Sequence, residues 1–146
     1  MISKNHMQIT FPGRPENESF ARVVISAFAV QLCPTVSEIA DIKTAVSEAV
    51  TNAIVHGYEG CEGLVTMRAA MCENGEIEIE IIDHGRGIAN LQEAMEPFFT
   101  SKPDEERSGM GFAVMQTFMD SVEVFSTEGE GTTVRLKKAI AALTRK

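Results

Sequence analysis

Residues 76–81 alternate strictly between glutamate and isoleucine, and this pattern constrains the fold more than any other part of the chain. A period of two places every isoleucine on one face of a β-strand and every glutamate on the other. Such a strand is typical of an antiparallel sheet that packs one face against a core and leaves the other in water. A Glu-Asn-Gly turn at 73–75 joins it to residues 64–72, so the segments 64–72 and 76–83 are predicted to form a hairpin.

The remaining patterns predict helices for the apolar face of this sheet and further strands beside it. Apolar residues recur at helical spacing in 37–56. Residues 20–32 are apolar on nearly all sides, which is typical either of a buried core helix or of a helix shared between the core and a partner. We predict an α+β fold, a two-layer α/β sandwich with helices on one face of a mixed, mainly antiparallel sheet. The other predicted elements are a strand at 8–11, helices at 16–32, 91–95 and 110–119, and a hairpin with arms 122–126 and 132–136.

Length and cysteine content narrow the class of protein. A chain of 146 residues is the size of one domain, and we expect a single domain with a short N-terminal extension at about 1–7 and a basic C-terminal tail at about 139–146. The three cysteines show no CxxC spacing, and no apolar run is long enough to span a membrane. We therefore expect a cytoplasmic protein without a disulfide scaffold or a zinc site.

The charge of the chain is unevenly distributed. The net charge is −8, from 21 acids and 13 bases, but the last twelve residues hold five of the bases and no acid. Residues 1–134 therefore carry 21 acids against 8 bases, a net charge of −13. An acidic body of this kind repels nucleic acid and anionic membranes, so we expect neither as a direct partner. Any bound phosphate must be held by local groups.

Two glycine-containing stretches have the chemistry to hold a nucleotide. Residues 83–87 (Asp-His-Gly-Arg-Gly) end the acidic strand, and a carboxylate at such a turn can accept a hydrogen bond from a base amine. Residues 109–111 (Gly-Met-Gly) open the helix at 110–119, where unpaired backbone N–H groups and the helix dipole attract anions. Taken singly, each stretch is equally consistent with an ordinary turn or an ordinary helix start.

Glu48 and Asn52 are four residues apart on the helix at 37–56, so their side chains point the same way. The asparagine oxygen suits a Mg²⁺ ion that is also bound by phosphates. The glutamate could act as a general base or orient the attacking group. The same pair is common on solvated helix faces, so it indicates a site only beside the two glycine stretches.

In this order, these stretches resemble the motifs of the GHKL ATP-binding superfamily, which includes gyrase, the ninety-kilodalton heat-shock chaperone, histidine kinases and MutL. Residues 47–53 (Ser-Glu-Ala-Val-Thr-Asn-Ala) are similar to its N box, 83–87 to its first glycine box and 109–111 to its second. Residues 131–133 (Gly-Thr-Thr) are similar to its closing motif. The resemblance implies a Bergerat-type ATP site, with 97–108 as a lid over the phosphates.

The same resemblance implies roles for individual residues. Asp83 is expected on the adenine amine, Asn52 on Mg²⁺, and Glu48 beside the proton of the phosphate acceptor. Arg107, next to the second glycine box, is expected to act on the β- and γ-phosphates as a second catalytic residue, and Lys102 to contact them. The remaining residues expected to bind the nucleotide are Gly85, Gly87, Ser108, Gly109, Met110, Gly111 and Thr132.

Residues 16–23, 47–58 and 106–112 resemble more closely one branch of that superfamily, the sigma-F-type anti-sigma factors of sporulating Firmicutes. The short chain agrees, because it lacks room for the phosphoacceptor helix pair of a histidine kinase or the transducer domain of gyrase. The branch implies a homodimer that sequesters a sigma factor and, as a Mg-ATP-dependent serine kinase, phosphorylates the anti-anti-sigma protein that competes for it. Arg22, a base within an apolar helix, is predicted to contact a partner.

Two alternative functions fit the same residues. One is a nucleotide-gated binding module that captures a partner without phosphotransfer, although sequestration alone has no need of the base that Glu48 would supply. The other is a related kinase that controls the general stress sigma factor.

Overall fold

A computed structural model of the chain describes residues 3–57, 63–85 and 111–140. Within these ranges, no helix is long and apolar enough to cross a membrane. A 3-10 turn (Val30–Leu32) follows the first helix and a π-helical turn (Ala53–Gly57) follows the second. The described strands and α-helices are β1 (Ser3–Pro12), α1 (Glu16–Ala29), α2 (Val36–Asn52), β2 (Leu64–Cys72), β3 (Glu76–Asp83), α3 (Gly111–Phe118), β4 (Ser121–Thr127) and β5 (Gly131–Ala139).

The strands form one sheet in the order β1-β2-β3-β5-β4. Each neighbouring pair among these five strands is antiparallel, so the described part of the predicted mixed sheet contains antiparallel pairing alone. The β2-β3 hairpin has the predicted bounds. β5 inserts between β3 and β4, so the last strand in sequence is an inner strand of the sheet. This architecture confirms the predicted α+β sandwich.

The helices cover one face of the sheet, and the core lies between the two layers. The three isoleucines of β3 that alternate with glutamate, Ile77, Ile79 and Ile81, are almost fully buried, as that alternation predicts. α2 packs against both α1 and α3. Its apolar face is buried as predicted, including Ile42, Val46 and Val50 at helical spacing.

Local signals set the start of α2. Thr35 accepts a hydrogen bond from the backbone N–H of Glu38, and the Glu38 carboxylate accepts one from the backbone N–H of Thr35. This reciprocal capping box satisfies two donors that a helix start would otherwise leave unpaired. Just before it, Cys33 takes a left-handed conformation with φ 53°, which ends the 3-10 turn and lets the chain reverse. The predicted single helix at 16–32 is therefore an α-helix with a tighter last turn.

β1 is longer than predicted and takes in most of the segment 1–7 that the sequence patterns assign to an extension. It begins at Ser3 rather than at residue 8, because its backbone pairs with β2 from Ser3, opposite Cys72, to Pro12, opposite Leu64. The side chain of Asn5 also donates a hydrogen bond of 2.9 Å to Gln31 in the 3-10 turn. Residues 3–7 have no apolar alternation, so composition alone does not indicate this pairing.

The face of the sheet that the helices leave open carries a row of charged and polar side chains across all five strands. Arg68 donates to Gln8 at 2.8 Å and lies 3.9 Å from Glu80. Arg135 lies 3.0 Å from Glu80 and 3.7 Å from Glu123. From Arg68 to Glu123, neighbours in the row therefore alternate in charge. We call it the Glu80 row; its members, from β1 to β4, are Gln8, Arg68, Glu80, Arg135 and Glu123.

Three of the five bases after residue 134 lie within β5. Lys137 lies 3.7 Å from Glu78, and Lys138 lies 3.5 Å from Asp41 on α2. Lys138 also donates a hydrogen bond of 2.8 Å to the carbonyl oxygen of Phe118 at the end of α3. Arg135 and Lys137 therefore offset acids of β3 and Lys138 offsets Asp41, so much of the positive charge after residue 134 is internal counter-charge. Residues 141–146, the predicted helix at 91–95 and the predicted lid at 97–108 lie outside the described residues.

Candidate nucleotide-binding site

A second row of side chains crosses the sheet on the face that the helices cover. Directly opposite residues on antiparallel strands share a face of the sheet. Three members of the row, on β1, β2 and β3, are buried. The row is apolar on β1 and β2 and polar on β3, β5 and β4. We call it the Asp83 row; its members, from β1 to β4, are Phe11, Val65, Asp83, Thr132 and Ser126.

Asp83 is a buried acid held by backbone N–H groups. It is 5% exposed, and its Oδ1 accepts a hydrogen bond of 2.9 Å from the N–H of Gly85. The backbone N–H of Thr132 also donates to it. Burial raises the pKa of Asp83, and these two hydrogen bonds partly oppose the rise. The result is a desolvated carboxyl group with the capacity to accept further hydrogen bonds, which suits the amine of a base.

Gly131 brings β5 unusually close to the strand end that carries Asp83. Its φ is +118°, which L side chains rarely adopt. A Cβ atom at this position would lie 2.7 Å from His84 Cα and closer still to the carbonyl oxygen of Asp83. Real Cβ atoms do not approach backbone so closely, so the first residue of the Gly-Thr-Thr stretch must be glycine for Thr132 to stand beside Asp83.

Asn52 has an unused polar atom at the end of α2. Its Nδ2 is buried and has no hydrogen-bond partner among the residues that the structure describes. A buried amide left this way is costly, so a ligand is a natural partner. A phosphate oxygen would accept from the nitrogen, and the amide turned over would present its oxygen to Mg²⁺. The residue therefore fits the role that the sequence resemblance implies for it.

α2 and the strands of the Asp83 row are brought together by the π-helical turn. This turn, Ala53–Gly57, directly follows Asn52 and contacts both β3 and β5. Glu48 lies one helical turn before Asn52, is partly buried, and shares that side of the helix because the two are four residues apart. In the described ranges, no group of three or more His, Cys, Asp or Glu side chains could hold a metal ion. Phosphate oxygens of a bound nucleotide would share an Mg²⁺ ion with Asn52.

The described part of α3, Gly111–Phe118, lies within the predicted helix at 110–119, and Gly111 is buried. Phe112 and Met115 fix the helix against the core. Gly111, the last of the three residues in the second glycine stretch, is therefore helical, and where the helix starts stays a prediction. Six predicted site residues lie outside the described residues, and their roles stay predictions: Gly87, Lys102, Arg107, Ser108, Gly109 and Met110.

Arg22, the predicted partner contact, lies on the outer side of α1. Its Nε donates to Glu18 at 2.6 Å, its side chain is 40% exposed, and a second nitrogen donates to Ser19 at 3.2 Å. Phe20 and Val23, on the same helix, are 50% and 67% exposed. The structure therefore shows a partly exposed, ion-paired arginine on a helix that also exposes apolar side chains, one of which, Phe20, packs edge-on against Phe11 of the Asp83 row.

Ser126 is a member of the Asp83 row that sequence reasoning missed. Its hydroxyl lies 2.9 Å from the hydroxyl of Thr132 and donates a hydrogen bond of 3.0 Å to the carbonyl oxygen of Gly131. The predicted hairpin already ended its arms at Ser126 and Thr132, so the register across the turn was the available signal.

Comparisons with known proteins identify the class to which this fold belongs. Residues 11–138 match the family described as the histidine kinase-like ATPase domain. The solved structure of the RsbU and RsbW domains of Rv1364c from Mycobacterium tuberculosis aligns with a TM-score of 0.68 at 22% identity, over 94% of this chain and 33% of that one. The Erythrobacter litoralis EL346 blue-light activated histidine kinase aligns with a TM-score of 0.56 at 22% identity, over 76% of this chain and 33% of that one. Both structures share the fold, and the aligned part is a third of each.

Relatives of similar length define the family more narrowly. A protein named anti-sigma F factor from Thermoanaerobacter sp. is 57% identical over 138 residues, which is 94% of this chain and 96% of the relative. The protein of that name from Caldanaerobacter subterraneus subsp. tengcongensis is 58% identical over 140 residues, 96% of this chain and 97% of the relative. The chain belongs to this family, the anti-sigma F factors, within the histidine kinase-like ATPase domains.

Proposed function

We propose that this protein is an anti-sigma factor of the cytoplasm and a Mg-ATP-dependent protein-serine kinase. It sequesters a sigma factor of the sigma-F type and phosphorylates a serine of the anti-anti-sigma protein that competes for it. The observation that carries the nucleotide part is Asp83, a buried carboxyl group whose hydrogen bonds come from the backbone. A core gains nothing from such a group, because its desolvation is unfavourable. A ligand that donates a hydrogen bond to the Asp83 carboxyl group would offset that cost.

The described residues support ATP binding at two ends of one site. Asp83 and Thr132 accept the base, and Asn52 and the glycine stretch that ends at Gly111 hold the phosphates. When bound, Mg-ATP supplies the phosphoryl group and the charge that offsets its oxygens. The protein itself is acidic, with a net charge of −8, so these local donors must outweigh a repulsive long-range field.

Glu48 is the proposed base. It lies on the same side of α2 as Asn52, so a serine hydroxyl brought to the phosphate end of the site would meet it. A positioned base contributes roughly a hundredfold or more to proton transfer. Phosphoryl transfer otherwise needs positioning and charge neutralisation more than covalent chemistry.

The direct test is phosphotransfer from labelled Mg-ATP to the anti-anti-sigma protein, with the modified residue identified by mass spectrometry. We expect a phosphoserine with the wild-type protein and at least about a hundredfold slower transfer with Glu48→Gln, at unchanged ATP affinity. Glu73→Gln is the matched control, because Glu73 is exposed in the β2-β3 turn at the other end of β3 from Asp83. Full transfer by Glu48→Gln would remove the proposed base. ATP and sigma binding without any transfer by the wild type would favour the nucleotide-gated binding module.

The partner surface is proposed to lie on α1 around Arg22. An arginine held by an ion pair, on a helix that also exposes apolar side chains, has the chemistry of an interface hot spot. Phe20 and Val23 supply apolar area, and Glu18 holds the guanidinium in place. The homodimer implied by the sequence resemblance is also part of the proposal, and sedimentation equilibrium of the wild-type protein tests it.

Binding of the sigma factor by two arginine variants tests this surface. We expect Arg22→Ala to weaken capture by about thirtyfold or more, with ATP affinity unchanged. Arg68→Ala is the control, because Arg68 has a 55% exposed side chain but lies on the open face of the sheet. Equal losses for the two variants would mean that a general charge effect, and not α1, governs capture.

A further inference from the structure

We propose that Ser126 is a positioning residue: it orients the hydroxyl of Thr132 so that the site accepts adenine and rejects guanine. This inference rests on the proposed function, because it assumes that a purine base binds beside Asp83. It concerns a residue that touches neither the phosphates nor the partner surface in that proposal. Ser126 is expected to act through Thr132 and not by contact with the reacting atoms.

The register of the sheet places the three polar side chains in line. Asp83 on β3 is opposite Thr132 on β5, and Thr132 is opposite Ser126 on β4. Opposite residues share a face, so all three side chains project from the face that the helices cover. Thr132 and Ser126 are partly buried and Asp83 is buried. Their hydrogen bonds are therefore shielded from competing water.

The number of available protons determines which hydroxyl donates in each hydrogen bond. A serine hydroxyl has one proton to donate. Ser126 donates it to the carbonyl oxygen of Gly131 at 3.0 Å. Because that proton is used, we assign Thr132 as the donor in the contact of 2.9 Å between the hydroxyls of Ser126 and Thr132. With its own proton committed to Ser126, Thr132 can offer only lone pairs to anything else.

The Asp83 row therefore presents acceptors alone at this end of the sheet. The carboxylate of Asp83 and the oxygen of Thr132 match the exocyclic amine of adenine, which donates. Guanine carries a carbonyl oxygen at the corresponding position, which would face two acceptors without a proton between them. Without Ser126, the Thr132 proton is free to turn toward the ligand, and the penalty against guanine falls.

The test measures affinity for Mg-ATP and Mg-GTP by isothermal titration calorimetry. We expect the wild type to prefer ATP, and we expect Ser126→Ala to reduce the ATP-to-GTP affinity ratio by about threefold to tenfold, the size of one hydrogen bond. Ser126→Thr keeps the hydroxyl and a strand-favouring side chain, so it should restore the wild-type ratio. A purely structural role would lower both affinities together and leave the ratio unchanged.

The chain offers a matched control elsewhere on the same sheet. Thr10 and Thr66 are also opposite each other, on β1 and β2, and their hydroxyls are also 2.9 Å apart. Thr10→Ala removes a hydroxyl pair of the same geometry from the open face, far along the sheet order from β5. It should leave the affinity ratio unchanged. If Ser126→Ala fails to fold, Ser126→Cys, a weaker donor and acceptor of similar size, should reduce the ratio in the same direction.

The outcomes separate this inference from the function on which it rests. A wild type that prefers ATP, with an unchanged ratio in both Ser126→Ala and Ser126→Cys, would overturn the inference and leave the kinase proposal standing. An equal fall of the ratio in Thr10→Ala would also overturn it. A wild type that binds neither nucleotide would overturn the proposed function and the inference together. A reduced ratio in Ser126→Ala that Ser126→Thr restores would support the inference.

Discussion

The Asp83 row and the Glu80 row cross the same five strands, and each has an acid of β3 at its centre. Glu80 has two arginines beside it, at 3.9 Å and 3.0 Å, and lies on the open face. Asp83 is buried on the helix face, and its hydrogen bonds come from the backbone N–H groups of Gly85 and Thr132. Arginine side chains compensate the charge of Glu80, whereas backbone N–H groups hold Asp83.

This difference separates stability from function. An acid between two bases adds to folding and is satisfied without any ligand. A desolvated acid that keeps acceptor capacity costs folding energy and is useful only when something binds. We therefore expect changes in the Glu80 row to affect unfolding and changes in the Asp83 row to affect ATP binding. Four predictions test this division.

The largest effect is expected for Asp83→Asn. A hydrogen bond to a charged group contributes about 1.5–3 kcal/mol, so ATP affinity should fall by about ten- to a hundredfold. The free energy of unfolding at pH 7 should not fall, because the variant removes a buried charge. Calorimetric titration with ATP and urea denaturation measure the two quantities. Glu80→Gln should show the reverse pattern, and an equal loss of ATP affinity in both variants would contradict the division between the rows.

Gly131→Ala should lower the free energy of unfolding by about 2–3 kcal/mol. The new Cβ would overlap the backbone of residues 83 and 84, and the φ of +118° is strained for alanine. Gly129→Ala is the control, because its φ is +85° but nothing lies within 4 Å of its Cβ position. Urea denaturation should show a loss of about 1 kcal/mol for that control. Equal losses in the two variants would mean that backbone strain alone, and not the close approach of β5 to Asp83, explains the need for glycine at position 131.

Arg135→Met should lower the free energy of unfolding by about 1–2 kcal/mol with ATP affinity unchanged. The arginine lies 3.5 Å from Glu78, 3.0 Å from Glu80 and 3.7 Å from Glu123, and the hydrogen bond that it donates to Glu80 is the main cause of its raised pKa. Its removal leaves partly buried acids short of counter-charge. Arg68→Met, a more exposed residue at 3.9 Å from Glu80, should lose less than about 0.5 kcal/mol. Thermal and urea unfolding compare the two.

The smallest effect is a pH dependence that belongs to Asp83. Burial raises its pKa in the folded state, so the folded protein holds this proton to a higher pH than the unfolded chain does. Its contribution to stability is therefore present below the ordinary aspartate pKa and is lost as the pH rises through the raised value. The stability difference between Asp83→Asn and wild type should grow in favour of the variant from pH 4 to pH 7. Urea denaturation across this range checks the sign, and a difference that shrinks with pH would contradict it.

Local patterns in the sequence predict the central hairpin and the faces of the helices well. A two-residue period and an Asn-Gly turn specify β2 and β3 to the residue. The start of β1 at Ser3 cannot be predicted from such patterns, because residues 3–7 pair with β2 through backbone groups and this pairing is compatible with any side chain. The π-helical turn after Asn52 cannot be predicted either, since apolar spacing indicates which face of a helix is buried and not the hydrogen-bonding pattern of its backbone.

The candidate site depends on contacts between distant segments, and these are harder to predict. Asp83 and Thr132 are neighbours because β5 inserts beside β3, which no local pattern indicates; only the resemblance to a known family linked them. Ser126 required one further step, the register of β4 against β5. The counter-charges for the glutamates of β3 likewise come from the far end of the chain, which is why the cluster of C-terminal bases had no explanation from the sequence alone.

The position of β5 also has a consequence for how the chain folds as it is synthesised. β3 is complete at residue 83, but its partner on one side begins only at residue 131, so a growing chain carries β3 as an unprotected edge. An exposed edge invites pairing with another molecule. The glutamates at 76, 78 and 80 place negative charge along that edge until Arg135 and Lys137 arrive, and like charge discourages two such nascent chains from joining. The acids that take part in ion pairs of the finished sheet would also hinder pairing between nascent chains during synthesis.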